Sequence, residues 1–120
     1  MERQELEKAG VDYAAGLEHF VENEALYVKY LGKFTTDGHF AAAWKAYDRL
    51  DYEAIEKEVH ALKGLAGTLG MNRLFQACSV VVTELRKGNH FELNGQMEKV
   101  RMEYEKLVQA IGTGRNGGEE

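Results

Sequence analysis

The sequence predicts an all-α protein, an antiparallel four-helix bundle with one or more short helices added at its N-terminal end. Three observations point there. The 120 residues include no proline, which argues against a turn-rich sandwich. Apolar residues recur every three or four positions along most of the chain, and no stretch alternates convincingly. The breaks between these segments are short, which favours antiparallel neighbours. Five or six helices are expected in all.

The first spans about Val11 to Val21, with Leu17, Phe20 and Val21 apolar. The next runs from about Asn23 to Phe34 and carries Tyr27, Tyr30, Leu31 and Phe34 at helical spacing. Thr35-Thr36-Asp37-Gly38 breaks it and offers an N-cap for a helix with Phe40, Ala43, Trp44 and Tyr47 on one face. Asp51 caps a longer helix reaching about Leu69, and Glu53 suits its N-terminal dipole. Gly70 fits a C-terminal cap, and Asn72 is expected to cap the following helix. That helix presents Leu74, Cys78, Val81 and Leu85 and stops at Gly88. The valines Val80 to Val82 favour strand locally, but the helical spacing around them outweighs that. Asn89-His90-Phe91-Glu92 resembles a capping box. The last helix carries Leu93, Met97, Val100, Tyr104, Leu107 and Ile111, a seam of period about 3.5. The bundle is expected over residues 9–111, followed by a disordered, Gly-rich polar tail over 112–120.

Hydrophobic residues make up 44% and charged residues 29%, so the chain is globular. A net charge of −5 argues against nucleic acid. Met1 to Glu5 lacks an apolar h-region, and no run approaches the ~18 apolar residues of a membrane span. A soluble, cytoplasmic domain is the expectation. The single Cys78 permits no internal disulfide and reads as a buried thiol. A di-iron bundle needs Glu-x-x-His pairs. The residues three before His19, His39, His60 and His90 are Gly16, Thr36, Lys57 and Lys87, so no metal is expected. His19, His39 and His90 fall near helix ends and read as solvated. Met71, beside the turn, reads as a docking contact or a hydrophobic plug.

The segment Asp51–Gly70 breaks its own rules. On a helical wheel with Ile55 at the origin, Ile55, Val59, Leu62, Ala66 and Leu69 lie within about 40° of one line and form the core stripe. His60 lies at about 140°, Gly67 at about 120° and Gly64 at about 180°, all away from it. Lys63 and Glu56 lie at about 80° and 100°. Two interior glycines cost roughly 1 kcal/mol each relative to alanine. They bare one turn of helix beside His60, so that another molecule can approach the imidazole. A neutral imidazole offers an unprotonated nitrogen as nucleophile. Lys63, three residues on, is within reach of an anion held there. Glu53 and Glu56 make the surroundings acidic, and Lys57 and Lys63 partly offset them. On the residues alone the bland reading also stands: a surface histidine, with Gly64 and Gly67 permitting close helix packing.

The string His60-Ala61-Leu62-Lys63-Gly64-Leu65-Ala66-Gly67-Thr68-Leu69-Gly70 resembles the signature of histidine-containing phosphotransfer (HPt) domains. That signature has His, then Lys-Gly three and four residues on, a small residue at six or seven, and Leu-Gly at nine and ten. Val11-Asp12-Tyr13 with Gly16-Leu17 resembles the family's N-terminal helix. Tyr27, Leu31 and Phe34 resemble its first long helix, and Leu74, Ala77 and Leu85 the helix after the motif. The resemblance implies a phosphocarrier rather than an enzyme, with His60 as phosphoacceptor and Lys63, Gly64, Gly67 and Arg86 supporting the phosphoryl group. It implies partners that are receiver domains of response regulators, histidine kinases, or both, in a multistep two-component phosphorelay. It implies no nucleotide site. No cofactor, no nucleic acid or membrane partner, and a monomer are the remaining expectations. In the family the receiver supplies the metal ion and most of the catalytic groups. One departure is Val82, where many members place a polar residue that orients the histidine. Ser79, Thr83, Arg86 or a water molecule are the candidates to replace it. The alternative function is an unphosphorylated adaptor that docks on a receiver or kinase.

Overall fold

The computed structural model describes residues 1–119, and the side chains of residues 1–112. The elements in chain order are α1 (Arg3–Lys8), α2 (Tyr13–His19), α3 (Glu24–Phe34), α4 (His39–Asp48), α5 (Tyr52–Thr68), α6 (Asn72–Arg86) and α7 (Leu93–Glu119). Among the described residues the structure is helical, apart from one antiparallel bridge between Val11 and Met71. No helix there is long and apolar enough to cross a membrane. The tail expected to be disordered, residues 112–120, lies, apart from Gly112, outside the residues whose side chains are described.

Short polar side chains start three of the helices. Asp12, Asn23 and Asp51 each accept a hydrogen bond from the backbone N–H three residues on, at 3.0, 3.1 and 3.1 Å. Each such cap is worth about 1 kcal/mol. Two expected caps are absent. Asn72 is the first residue of α6 rather than its cap, which is Met71. The Asn89–Glu92 segment forms no capping box. The Asn89 side chain accepts from Phe91 N–H at 3.1 Å, and α7 begins only at Leu93. Before α4, Gly38 is the cap without a side-chain bond, because Asp37 instead accepts from the His39 ring at 2.8 Å.

Helix α5 packs against α4 on one flank and α6 on the other, and α6 packs against α7. Its stripe of Ile55, Val59, Leu62, Ala66 and Leu69 is fully buried, as the wheel placed it. Leu74, Cys78 and Val81 of α6 meet it, together with Met97, Val100, Leu107 and Ile111 of α7. On α4 the buried positions are Ala43 and Ala46. The expected aromatic face is only half-buried, with Phe40 stacked on Tyr104 at 4.0 Å between centroids. Helix α1 was not anticipated; it precedes residue 9, and its Leu6 is fully buried in the same core. Met71 is buried, so of its two readings the plug holds.

The last carbonyls of α5 cannot be paired within the helix. The turn that follows takes those of Leu65, Ala66 and Gly67, and three other segments take the next carbonyls, of Thr68, Leu69 and Gly70. The His19 ring Nδ1 lies 3.0 Å from Thr68 O, the Tyr27 hydroxyl donates to Leu69 O at 2.7 Å, and Asp12 N–H donates to Gly70 O at 2.7 Å. Gly70 has φ +76°, and a Cβ there would stand 2.5 Å from Asp12 O, so this junction admits only glycine. The C-terminal end of α5 is thereby fixed to α2, α3 and the α1–α2 link.

Cys78 is fully buried, and burial pushes its thiol up to about 12. The Tyr13 hydroxyl is likewise raised to about 12, by burial and by its bond to Glu24. The folded chain therefore keeps protons that the unfolded chain releases from about pH 8.5 upward, and stability falls with rising pH across that window. The Cys78 contribution alone is expected to remove about 1–2 kcal/mol at pH 10, read as a lower urea midpoint than at pH 7.5. Iodoacetamide is expected to leave Cys78 unmodified in the native chain and to alkylate it in denaturant.

Candidate functional site

His60 stands in the middle of α5, two turns from its start, on the side away from the core. It is exposed, and among the described residues it makes no hydrogen bond and no ion pair. A helix pinned at its C-terminal end and capped by Asp51 holds this ring on a rigid element.

The two glycines near it differ. A Cβ built on Gly64 meets nothing within 4 Å. The fold therefore draws no packing benefit from glycine there, and the propensity cost has no structural return. A Cβ on Gly67 would stand 3.2 Å from the Phe75 ring of α6. Gly67 thus permits close α5–α6 packing, so here the bland sequence reading is right. Gly64→Ala is expected to stabilise the chain by about 1 kcal/mol. Gly67→Ala is expected to gain less, because Phe75 must shift to admit the methyl. Urea unfolding of both variants would check the order.

Phe75 has a second contact, which sequence reasoning missed. The Lys63 ammonium lies over its ring, 5.4 Å from the centroid. Such a contact is worth about 0.5–1 kcal/mol at an exposed site and restrains a flexible side chain. The signal was available, since Gly67 and Phe75 are equally far from the turn at Met71, and a small residue facing an aromatic invites contact.

Glu56 and Arg86 are also equally far from Met71. Arg86 Nε donates to Glu56 Oε2 at 2.9 Å across the α5–α6 groove. The two pairs set the register of the hairpin and put His60 level with Val82. Val82 is buried. Of the residues considered as its replacement, Ser79 turns its hydroxyl back to Phe75 O at 2.9 Å, Thr83 is exposed, and Arg86 is paired with Glu56. The acidity expected from Glu56 is therefore offset by Arg86.

The other histidines are engaged. His19 sits against Thr68 O, His39 pairs with Asp37, and the His90 ring stacks on Tyr52 at 3.6 Å. Among the described residues no group of three or more His, Cys, Asp or Glu could hold a metal ion.

Residues 33–111 match the family model of the Hpt domain, two-thirds of the chain and all of α4, α5 and α6. The chain belongs to the Hpt domain family. Hpt domains serve histidine phosphotransfer in phosphorelays, as phosphocarrier modules rather than catalysts, and interact with receiver domains and kinases. Comparison with curated proteins and with solved structures gave no match. In this Hpt domain the helix that carries the exposed histidine is the one held from three sides.

Proposed function

We propose that this chain accepts a phosphoryl group on His60 and relays it to or from receiver aspartates in a multistep two-component phosphorelay. In this reading the helices form an antiparallel four-helix bundle over residues 9–111, acting as a monomer in the cytoplasm. The observation that carries it is the open space beside His60. Gly64 has no neighbour to make room for, so the vacancy serves something outside the chain.

The chemistry follows from the exposed ring. An unprotonated imidazole nitrogen attacks the phosphorus of a receiver's aspartyl phosphate. The new N–P bond forms as the O–P bond to aspartate breaks, and the aspartate carboxylate leaves. The second ring nitrogen gives its proton to solvent when the phosphorylated ring returns to neutrality. Reversal passes the group to another receiver. Gly64 lets the receiver's acidic pocket close over the ring, since bond-making distances of about 3–3.5 Å demand near contact. Lys63, restrained on Phe75, supplies positive charge to the phosphoryl oxygens. Gly67 acts one step back, by seating Phe75. Arg86 supplies a second cation across the groove.

The test is incubation with a panel of phosphorylated receiver domains. Acid-labile, base-stable label on the chain supports the proposal. Receivers that bind measurably yet transfer nothing would establish the adaptor instead.

A further inference from the structure

The ion pair between Glu56 and Arg86 has a role beyond joining two helices. Glu56 is one helical turn before His60 on α5, and Arg86 is one turn past the level of His60 on α6, at the same end. Arg86 donates through Nε at 2.9 Å, with its side chain 56% exposed and that of Glu56 33% exposed. Among the described residues its two terminal nitrogens make no hydrogen bond. A guanidinium has five donors in a fork suited to phosphate, and only one is used here. Pairs this exposed are held weakly and exchange readily.

We propose that Glu56 is a positioning residue that holds Arg86 in reserve and yields it to the phosphoryl group on His60. This rests on the phosphocarrier reading. A phosphoryl group brings close to two negative charges and three acceptor oxygens, against the single charge of a carboxylate. It outcompetes Glu56 for a guanidinium about one turn, ~5.4 Å, away along the helix. The exchange leaves Glu56 unpaired beside the new anion. Its repulsion, set against the attraction of Arg86 and Lys63, keeps the phosphorylated state from becoming too stable to pass the group on. Glu53, Lys57 and Lys63 are the other charged groups near this face of α5, and none of them has an ion pair among the described residues.

The experiment has two arms. In the first, His60 is phosphorylated chemically with phosphoramidate, whose phosphoryl group moves to the ring as ammonia leaves, and the site is verified by mass against His60→Gln. The Arg86 Nε–H resonance, assigned by its loss in Arg86→Gln, is then followed by NMR. It is expected to shift on phosphorylation, and in Glu56→Gln to start from a displaced position. In the second arm the equilibrium with a phosphorylated receiver is measured. Glu56→Gln is expected to raise the phosphohistidine fraction about threefold, and to give less than half that gain when Arg86→Gln is also present. An Arg86 resonance unmoved by phosphorylation of His60 would overturn the proposal. So would an equal gain with and without Arg86. The chemical route needs no receiver. A chain that no receiver phosphorylates therefore counts against the relay itself, and the NMR arm still decides the exchange.

Discussion

Replacing His60 by glutamine is expected to abolish phosphoryl uptake while leaving the fold intact. Glutamine is a good helix former, and the position is exposed and free of hydrogen bonds among the described residues, so stability should stay within about 0.5 kcal/mol of the native chain. The chemical loss is complete because an amide has no nucleophilic nitrogen, and no neighbouring group is placed to substitute. His19, His39 and His90 are each held in contacts elsewhere in the fold. Thermal unfolding and receiver transfer, measured on the same preparation, would separate the two effects. A variant that retained label would show that another histidine carries the group.

Gly64→Gln is expected to separate folding from function in the opposite sense. The built Cβ meets nothing, so the side chain enters solvent without strain. Removing a helix-interior glycine should stabilise the chain by about 0.5–1 kcal/mol, a few degrees in Tm. The same side chain would stand one turn from His60, where the receiver closes in the proposed transfer. A displacement of the reacting atoms by about 1 Å costs on the order of 10²-fold. The variant should thus be more stable and transfer on the order of a hundred times more slowly. Normal transfer by Gly64→Gln would refute the steric account of the motif.

Much of this was legible in the residues, because one helix combined a regular core stripe with residues that helices avoid. The stripe from Ile55 to Leu69 is buried as the spacing required, and His60 is exposed as its angle required. Periodicity does not say which glycine is needed for packing. Gly64 and Gly67 look alike in sequence and are told apart only by what lies opposite, open space for one and Phe75 for the other. Pairings across a hairpin are likewise hidden until its register is known, so the Lys63–Phe75 and Glu56–Arg86 contacts emerge only when positions are counted outward from the turn at Met71. Helix α1 was missed because a six-residue helix buries a single apolar residue, Leu6, too few to show a period. The false capping box before α7 failed for a related reason. Asn89 has two ways to satisfy a nearby N–H, and the turn through Phe91 was the one taken.

The central claim is that the phosphoryl group resides on His60. The direct measurement is mass spectrometry of the peptide that carries His60, taken under alkaline conditions after incubation with a phosphorylated receiver. One acid-labile phosphoryl group on His60, absent from the His60→Gln chain, is the predicted result. A phosphoryl group on His19, His39 or His90, or none while the receiver still binds, would contradict it.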